Sequence, residues 1–386
     1  MGLAARATQP FDRPPGRDED PVLWLQLLRS RRVGPVTFHR LLAEHGGVEA
    51  ALKALPQIAR TAGVEDYQIC PLLVVRAELT AGRAARARLL LHARPGYPAA
   101  LMDLPDAPPI LWARGNEGLL GRGMVALVGA RNASSLGLRM AKRLSEGISG
   151  AGLVVVSGLA RGIDAEAHKA ALSGGTVAVM AGGVDVIYPE ENSGLAAQIV
   201  EDGCLVSEQP MGLPPQTRHF PLRNRIISGL SRAVVVVEAA SRSGSLITAR
   251  DALDQGRDVM AVPGHPFDAR AAGCNQLIRD GAVLVRGPAD VLEVLGMPSA
   301  PAPDLHPAVL PVLPPPHDRA PQTRPLPETA ALHSLILARL GPSPTAEDQL
   351  IRDLSLPPAA MAQALITLEL DGRILRQSGG LLSRLD

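Results

Sequence analysis

Three observations predict an α/β fold built as a doubly wound parallel sheet. From Met124 onward, short apolar segments alternate with amphipathic helical ones, and that alternation is the pattern of successive βα units. The apolar run 233–237 is unbroken and rich in β-branched residues, as a strand covered on both faces requires. Each apolar segment also ends in small residues, where a loop must turn into the next helix. The strands read in this way are "MVALVGA", "GLVVVSG", "TVAVMAG", "GCLVSEQ", "RAVVVVEA", "RDVMAVPG" and "AVLV", with helical stretches at 136–149, 164–172 and 246–255 between them. Ligands of such sheets sit outside the carboxyl ends of the strands, so the chemistry is expected there.

The flanking segments divide the chain further. Residues 1–19 mix Pro, Gly and charge and read as a disordered tail. Residues 20–88 carry two amphipathic segments parted by "RRVGPV". This is either a helix-hairpin-helix (SAM-like) unit offering backbone N–H groups to a phosphate, or a small helical bundle that only packs. The sheet is expected over 89–297. Residues 298–327 are proline-rich and read as an extended linker. Residues 328–386 show helix, turn, helix and a hairpin with Gly379-Gly380 at its tip, which predicts a winged helix.

Composition narrows the function classes. Aromatics are only 2% of the chain, so the core must be built from Leu, Val, Ala and Ile. Cys70, Cys204 and Cys274 lie far apart and offer neither a disulfide framework nor a zinc spacing, which fits a reducing cytoplasm. No signal peptide or membrane-length apolar run is evident, so no membrane association is expected. A net charge of +1 leaves a polyanion partner open only if basic residues cluster locally.

Four strand-end loops carry the candidate chemistry. "VGARNASSLG" places Gly129, Arg131, Ser134 and Ser135 at a helix N-terminus, where free N–H groups favour an anion. Arg131 stands where a dinucleotide fingerprint needs its second glycine, and no Walker lysine follows, so no nicotinamide cofactor is expected. "SGLARGIDAEAH" offers Ser157, Gly158 and Arg161; its Asp164 suits a helix cap better than a catalyst, and no role is given to His168. "AGGVDVIYPEEN" offers Gly182-Gly183 for close backbone approach, with Glu190 and Glu191 as helix-dipole partners. The fourth site joins Phe220, Arg223, Asn224 and Arg225 to Ser243, Gly244 and Ser245 across the strand at 233–237. Glu238 is expected to orient an arginine. Four arginines beside glycine and serine nests make a rim for phosphates, because the guanidinium fork is planar and bidentate. Phe220 is either a stacking platform or a core residue.

At these residues the sequence resembles the DNA-processing protein A (DprA/Smf) family. The matching segments include "GARNASSLG", "SGLARGIDAEAHKAAL", "TVAVMAGGVDVIYPEEN", "FPLRNRIISGLS", "VVVVEAASRSGSLITARDAL" and "NQLIRDGA", in order over about 95–285. A small hydroxyl residue is expected where Cys274 stands, at a helix cap. The resemblance implies a Rossmann-like domain in a non-catalytic cytoplasmic protein that binds single-stranded DNA and protects it during natural transformation. It also implies loading of the RecA recombinase and a homodimer through the Rossmann-like domain. It carries DNA binding onto Arg131 and Arg161, and pocket lining onto Ser157, Gly158, Arg223 and Asn224.

Two other functions compete. A phosphoribohydrolase-like enzyme would carry a glutamate where Thr248 stands, and threonine is no general acid at neutral pH. A nucleotide-sensing regulator would use the winged helix to transmit a signal. That unit has no Lys or Arg from Asp353 through Gly372, and 328–386 holds five Arg against seven Asp/Glu. It is therefore poorly suited to reading duplex DNA and is expected to be a protein-contact or autoregulatory module. If the four rim arginines each neutralise one phosphate, log K should fall with log salt at a slope of about −3.

Overall fold

The computed structural model describes residues 20–297, 329–341, 344–377 and 380–385. The expectations for 1–19, for 298–327 and for Gly379 lie outside these residues.

Four helices open the chain: α1 (Pro21–Leu28), α2 (Pro35–His45), α3 (Val48–Thr61) and α4 (Leu72–Ala84). Asp20 caps α1 by accepting from the Val22 N–H at 2.9 Å, and Gly46, in the left-handed region at φ 75°, ends α2. Two strands follow that the sequence reading did not find, β1 (Arg88–Leu91) and β2 (Ile110–Gly115). They form an antiparallel pair, and β2 also lies antiparallel to β6.

The βα alternation then runs β3 (Met124–Val128), α5 (Ser135–Gly150), β4 (Val154–Ser157), α6 (Ile163–Ala171), β5 (Thr176–Val179), α7 (Ser193–Asp202) and β6 (Cys204–Ser207). It continues through α8 (His219–Leu230), β7 (Ala233–Val236), α9 (Ser245–Asp254), β8 (Asp258–Ala261), α10 (Ala272–Arg279), β9 (Val283–Leu284) and α11 (Pro288–Val294). The sheet order is β1-β2-β6-β5-β4-β3-β7-β8-β9. All pairings from β6 to β9 are parallel. The fold is thus a Rossmann-like doubly wound sheet with an antiparallel edge.

Residues of β3 show how both faces are buried. Met124, Ala126 and Val128 join a core with Ile226, Ile227 and Leu230 of α8, Ala249 of α9 and Cys274 of α10. Val125 and Leu127 point the other way, toward Ala141, Leu144 and Ile148 of α5, Ala167 of α6 and Val291 of α11. Cys274 is fully buried in α10; it is a core residue, not the helix cap expected from sequence.

The N-terminal helices pack on the antiparallel edge. Trp112 of β2 is buried against Gly82 of α4, and its indole N–H donates to Glu78 Oε1 at 2.9 Å. Glu78 in turn holds Arg29 at 2.8 Å.

The C-terminal unit comprises α12 (Thr329–Arg339), β10 (Thr345–Ala346), α13 (Glu347–Leu354), α14 (Pro358–Leu370), β11 (Ile374–Gln377) and β12 (Leu381–Arg384), with strand order β10-β12-β11. Leu332, Ile336, Leu350, Met361, Leu365 and Leu382 are in its separate core. This is the winged helix expected from the sequence.

Candidate nucleic-acid interface

Strand β3 has β4 on one side and β7 on the other. Its carboxyl end is therefore the point where the winding reverses, and a crevice opens there. Three loops meet at it: 129–134 after β3, 158–162 after β4 and 237–244 after β7. Gly162 lets the first two touch, because at φ 75° its backbone passes so close that a Cβ would lie 2.3 Å from the Ala130 carbonyl oxygen.

Buried groups brace this crevice from below. Ser157 donates to the Leu127 carbonyl at 2.6 Å. Asp164 accepts from the Gly158 and Ala160 N–H groups at 3.1 and 3.4 Å, and so holds Leu159 between them at φ 56°, a conformation costly for leucine. Asp164 is thus a loop brace, not the cap of its own helix. Burial raises its pKa, against the lowering effect of Arg223.

Arg223 is 6% exposed. It donates to the Gly158 carbonyl at 2.8 Å and to the Val179 carbonyl, bridging the ends of β4 and β5. Its guanidinium lies under Gly158, where a Cβ would sit 2.5 Å from Nη2. Desolvation lowers its pKa to about 10.

Several residues expected at the rim do not reach it. Arg225 is enclosed by Glu208 at 2.5 Å and Asp106 at 3.1 Å. It leaves α8 about 200° away from Arg223, because residues two apart in a helix face nearly opposite sides. Ser134 caps α5 by accepting from the Gly137 N–H at 3.0 Å. Its own N–H and hydroxyl donate to Glu238, at 3.0 and 2.5 Å. A carboxylate of the protein itself therefore occupies the anion position at this helix N-terminus, and Glu238 orients a serine rather than an arginine. Burial raises the Glu238 pKa, opposed by the two bonds from Ser134. Gly129 packs on Ile163 and remains in the crevice wall beside Arg131, while Gly182 and Gly183 lie against the backbone of 210–213. The close approach these glycines permit is to the chain itself.

The exposed rim is built from other groups. Arg131 is exposed and its guanidinium lies 5.2 Å from the centroid of the Phe220 ring, a cation–π contact. Tyr188, 50% exposed, has its ring 5.8 Å from that of Phe220. Arg161 projects to solvent and pairs with Glu191 at 2.5 Å. Across the crevice, Asn224 donates weakly to the Gly244 carbonyl at 3.5 Å, and the Ser243 and Ser245 hydroxyls share a bond of 2.7 Å. Exposed Arg242 adjoins them. This half of the crevice is a cavity of about 670 Å³ that includes Arg131, Phe220, Asn224, Arg242, Ser243 and Gly244 in its wall.

Tyr188 and Arg242 were not singled out from the sequence. Tyr188 is one of only three tyrosines and stands in a strand-end loop, which is a usable signal. Among the described residues no cluster of His, Cys, Asp or Glu is arranged to hold a metal. No helix among them is long and apolar enough to cross a membrane.

Comparison with known proteins gives a consistent result. The profile of the DNA recombination-mediator protein A family matches residues 88–296. The DprA-like N-terminal HHH domain matches 18–81, and the DprA winged helix domain matches 320–380. Protein Smf of Escherichia coli is 39% identical over 292 residues, 74% of each chain. The X-ray structure of DNA processing protein A from Streptococcus pneumoniae is 36% identical with a TM-score of 0.54, covering 68% of this chain and 98% of that one. A structure describing the single-stranded DNA binding mode of DNA processing protein A from Helicobacter pylori is 27% identical with a TM-score of 0.51, covering 54% and 95%. Fold, domain order and sequence together place this chain in the DNA recombination-mediator protein A (DprA/Smf) family.

Proposed function

We propose that this chain binds single-stranded DNA at the carboxyl edge of its sheet, without catalysis, and passes the strand to the RecA recombinase. Protection of incoming strands during natural transformation, a homodimer formed through the Rossmann-like domain and a cytoplasmic location belong to the same reading. The observation that carries it is the Arg131–Phe220–Tyr188 group. Single strands are held by cations on the backbone and by rings on which bases stack, and here exposed Arg131 and Tyr188 flank the half-buried Phe220 in a chain poor in aromatics. Arg161 and Arg242 extend the cationic line to either side. Asn224, Ser243, Gly244 and Ser245 supply polar groups for sugar and phosphate, while Arg223, Gly158 and Ser157 form the braced floor. The Helicobacter pylori relative supports the choice of single-stranded DNA.

Fluorescence anisotropy with labelled oligo-dT of a few tens of nucleotides tests this. The wild type is compared with Arg131→Glu plus Arg161→Glu, with duplex of equal length as competitor. The expected outcome is tight binding by the wild type, poor competition by duplex, and at least a hundredfold loss in the double variant, from two charge-assisted contacts reversed in sign. Undiminished binding by the variant would move the site to another surface. Absence of binding by the wild type would end the single-strand reading.

A further inference from the structure

We propose that the winged helix is a reversible cap on the DNA rim of its own chain, so that single-stranded DNA and the docked winged helix exclude one another. This inference rests on the single-strand reading above and concerns the regulation of that same site.

Hydrogen bonds to main-chain carbonyls tie the unit down from both sides. Arg270, its Nε held by Asp268 at 3.2 Å, donates to the carbonyls of Ala338 at 2.6 Å and Leu340 at 2.7 Å. It thereby satisfies carbonyls at the end of α12 that have no partner within the helix. In the opposite direction, Arg339 of α12 donates to the Ala133 carbonyl at 2.5 Å, two residues from Arg131. The contact is tight enough that a Cβ on Gly341 would lie 2.8 Å from Asp268 Oδ2 and 2.9 Å from Arg270 Nη2.

The docked unit closes over one half of the crevice. A cavity of about 720 Å³ has Arg131, Arg161 and Lys169 on the Rossmann-like side and Leu335, Arg339 and Asp353 on the winged-helix side. Gln349 donates to Asp353 Oδ1 at 2.6 Å, while Oδ2 is buried without a hydrogen-bond partner among the described residues. A side-chain oxygen of the winged helix thus lines the same cavity as the rim arginines Arg131 and Arg161. A continuous strand running along Arg131 and Arg161 cannot share that space with α12 and α13.

The contact is suited to release. Beside the packing of α13 on α5, the unit is held by polar ties to main-chain carbonyls, in keeping with the polar character of interdomain interfaces. If the closed state dominates, the measured affinity for DNA is the intrinsic affinity reduced by the fraction of open molecules.

The test uses the full chain and two variants on the winged-helix side. Arg339→Ala removes one tie together with a cation next to the rim. Gly341→Leu wedges the contact without changing charge. Donor and acceptor dyes on cysteines placed at Lys142 of α5 and Leu370 of α14 report docking by energy transfer; the three native cysteines are all buried. The expected result is roughly three- to tenfold tighter oligo-dT binding in both variants, from loss of one docking hydrogen bond or its equivalent. Energy transfer should fall in both variants, and in the wild type on adding oligo-dT.

Weaker binding by Arg339→Ala would make the winged helix an additional DNA contact and overturn the cap. So would unchanged affinity in both variants despite lowered energy transfer, or transfer in the wild type that saturating DNA leaves unaltered. If no form binds oligo-dT, the single-strand reading itself fails and the cap with it. The two failures are therefore distinguishable.

Discussion

His168 shows what one buried side chain does to the whole chain's response to pH. It is fully buried on α6, and its Nδ1 lies 2.7 Å from Thr176 Oγ1. That hydroxyl already donates to the Val155 carbonyl at 2.8 Å, so it can only accept from the ring. The imidazole is therefore the neutral Nδ1–H tautomer, with Nε2 buried and unpartnered. Desolvation, with Arg223 nearby, lowers its pKa to about 3. The unfolded chain then binds a proton near pH 6.5 that the folded chain refuses, so stability is lost as pH falls from about 6.5 toward 3. We expect the His168→Gln protein to lose on the order of 2 kcal/mol less than the wild type between pH 8 and pH 5. Urea midpoints at the two pH values check this; equal losses in both proteins would assign the acid sensitivity elsewhere. The same scale shows the limit of reading residues from sequence. Strand-end arginines were legible as a class, but Arg223 and Arg225 differ by a rotation about the axis of α8. One braces two strand ends, and the other is enclosed by Glu208 and Asp106. Those carboxylates come from residues 17 and 119 positions away, which no local pattern discloses. The bond between Ser134 and Glu238 spans 104 residues and was hidden for the same reason.

At the scale of elements, strands with strong β-branched runs and helices with an apolar stripe were legible, because each declares its own period. Strands β1 and β2 were not. "RLLL" is too short to show a period and follows a helix, and "ILWARG" follows Pro108-Pro109 and ends in polar residues. What makes these segments strands is their pairing with each other and with β6, a tertiary effect that overrides weak local preference. The edge they form is what joins the N-terminal helices to the sheet. Gly82 of α4 sits flat on the Trp112 ring, where a Cβ would lie 2.4 Å from two ring carbons. A larger residue must therefore push α4 from the sheet or turn the indole off Glu78. We expect Gly82→Leu to destabilise the chain by about 1–3 kcal/mol, the usual cost of overpacking a filled core. The measurement is the urea midpoint, with tryptophan fluorescence as a second probe. A shift well under about 1 kcal/mol, with the fluorescence unchanged, would mean that the helical unit yields freely and is only loosely attached to the sheet.

For the whole molecule, the decisive quantity is how many cations a DNA backbone can reach. The sequence offers four rim arginines, and with them a salt slope of about −3. The folded arrangement changes which ones count. Arg223 and Arg225 are buried and bonded within the protein to carbonyls and carboxylates, so neither is free to neutralise a phosphate and release the counterion condensed on it. Arg242, distant in sequence from Arg131 and Arg161, is exposed on the wall of the same crevice. Three reachable arginines predict a slope of log K against log salt of about −2 for single strands. Replacing Arg242 with alanine should flatten it by about 0.7, the share of one phosphate contact. Arg161 must exchange Glu191 for phosphate, but that pair is exposed and weak, so the exchange costs little affinity. Oligo-dT titrations from about 50 to 300 mM salt read both slopes. A wild-type value of −3 or steeper would bring further cations to the strand, and an unaltered slope for Arg242→Ala would remove that residue from the path of the DNA.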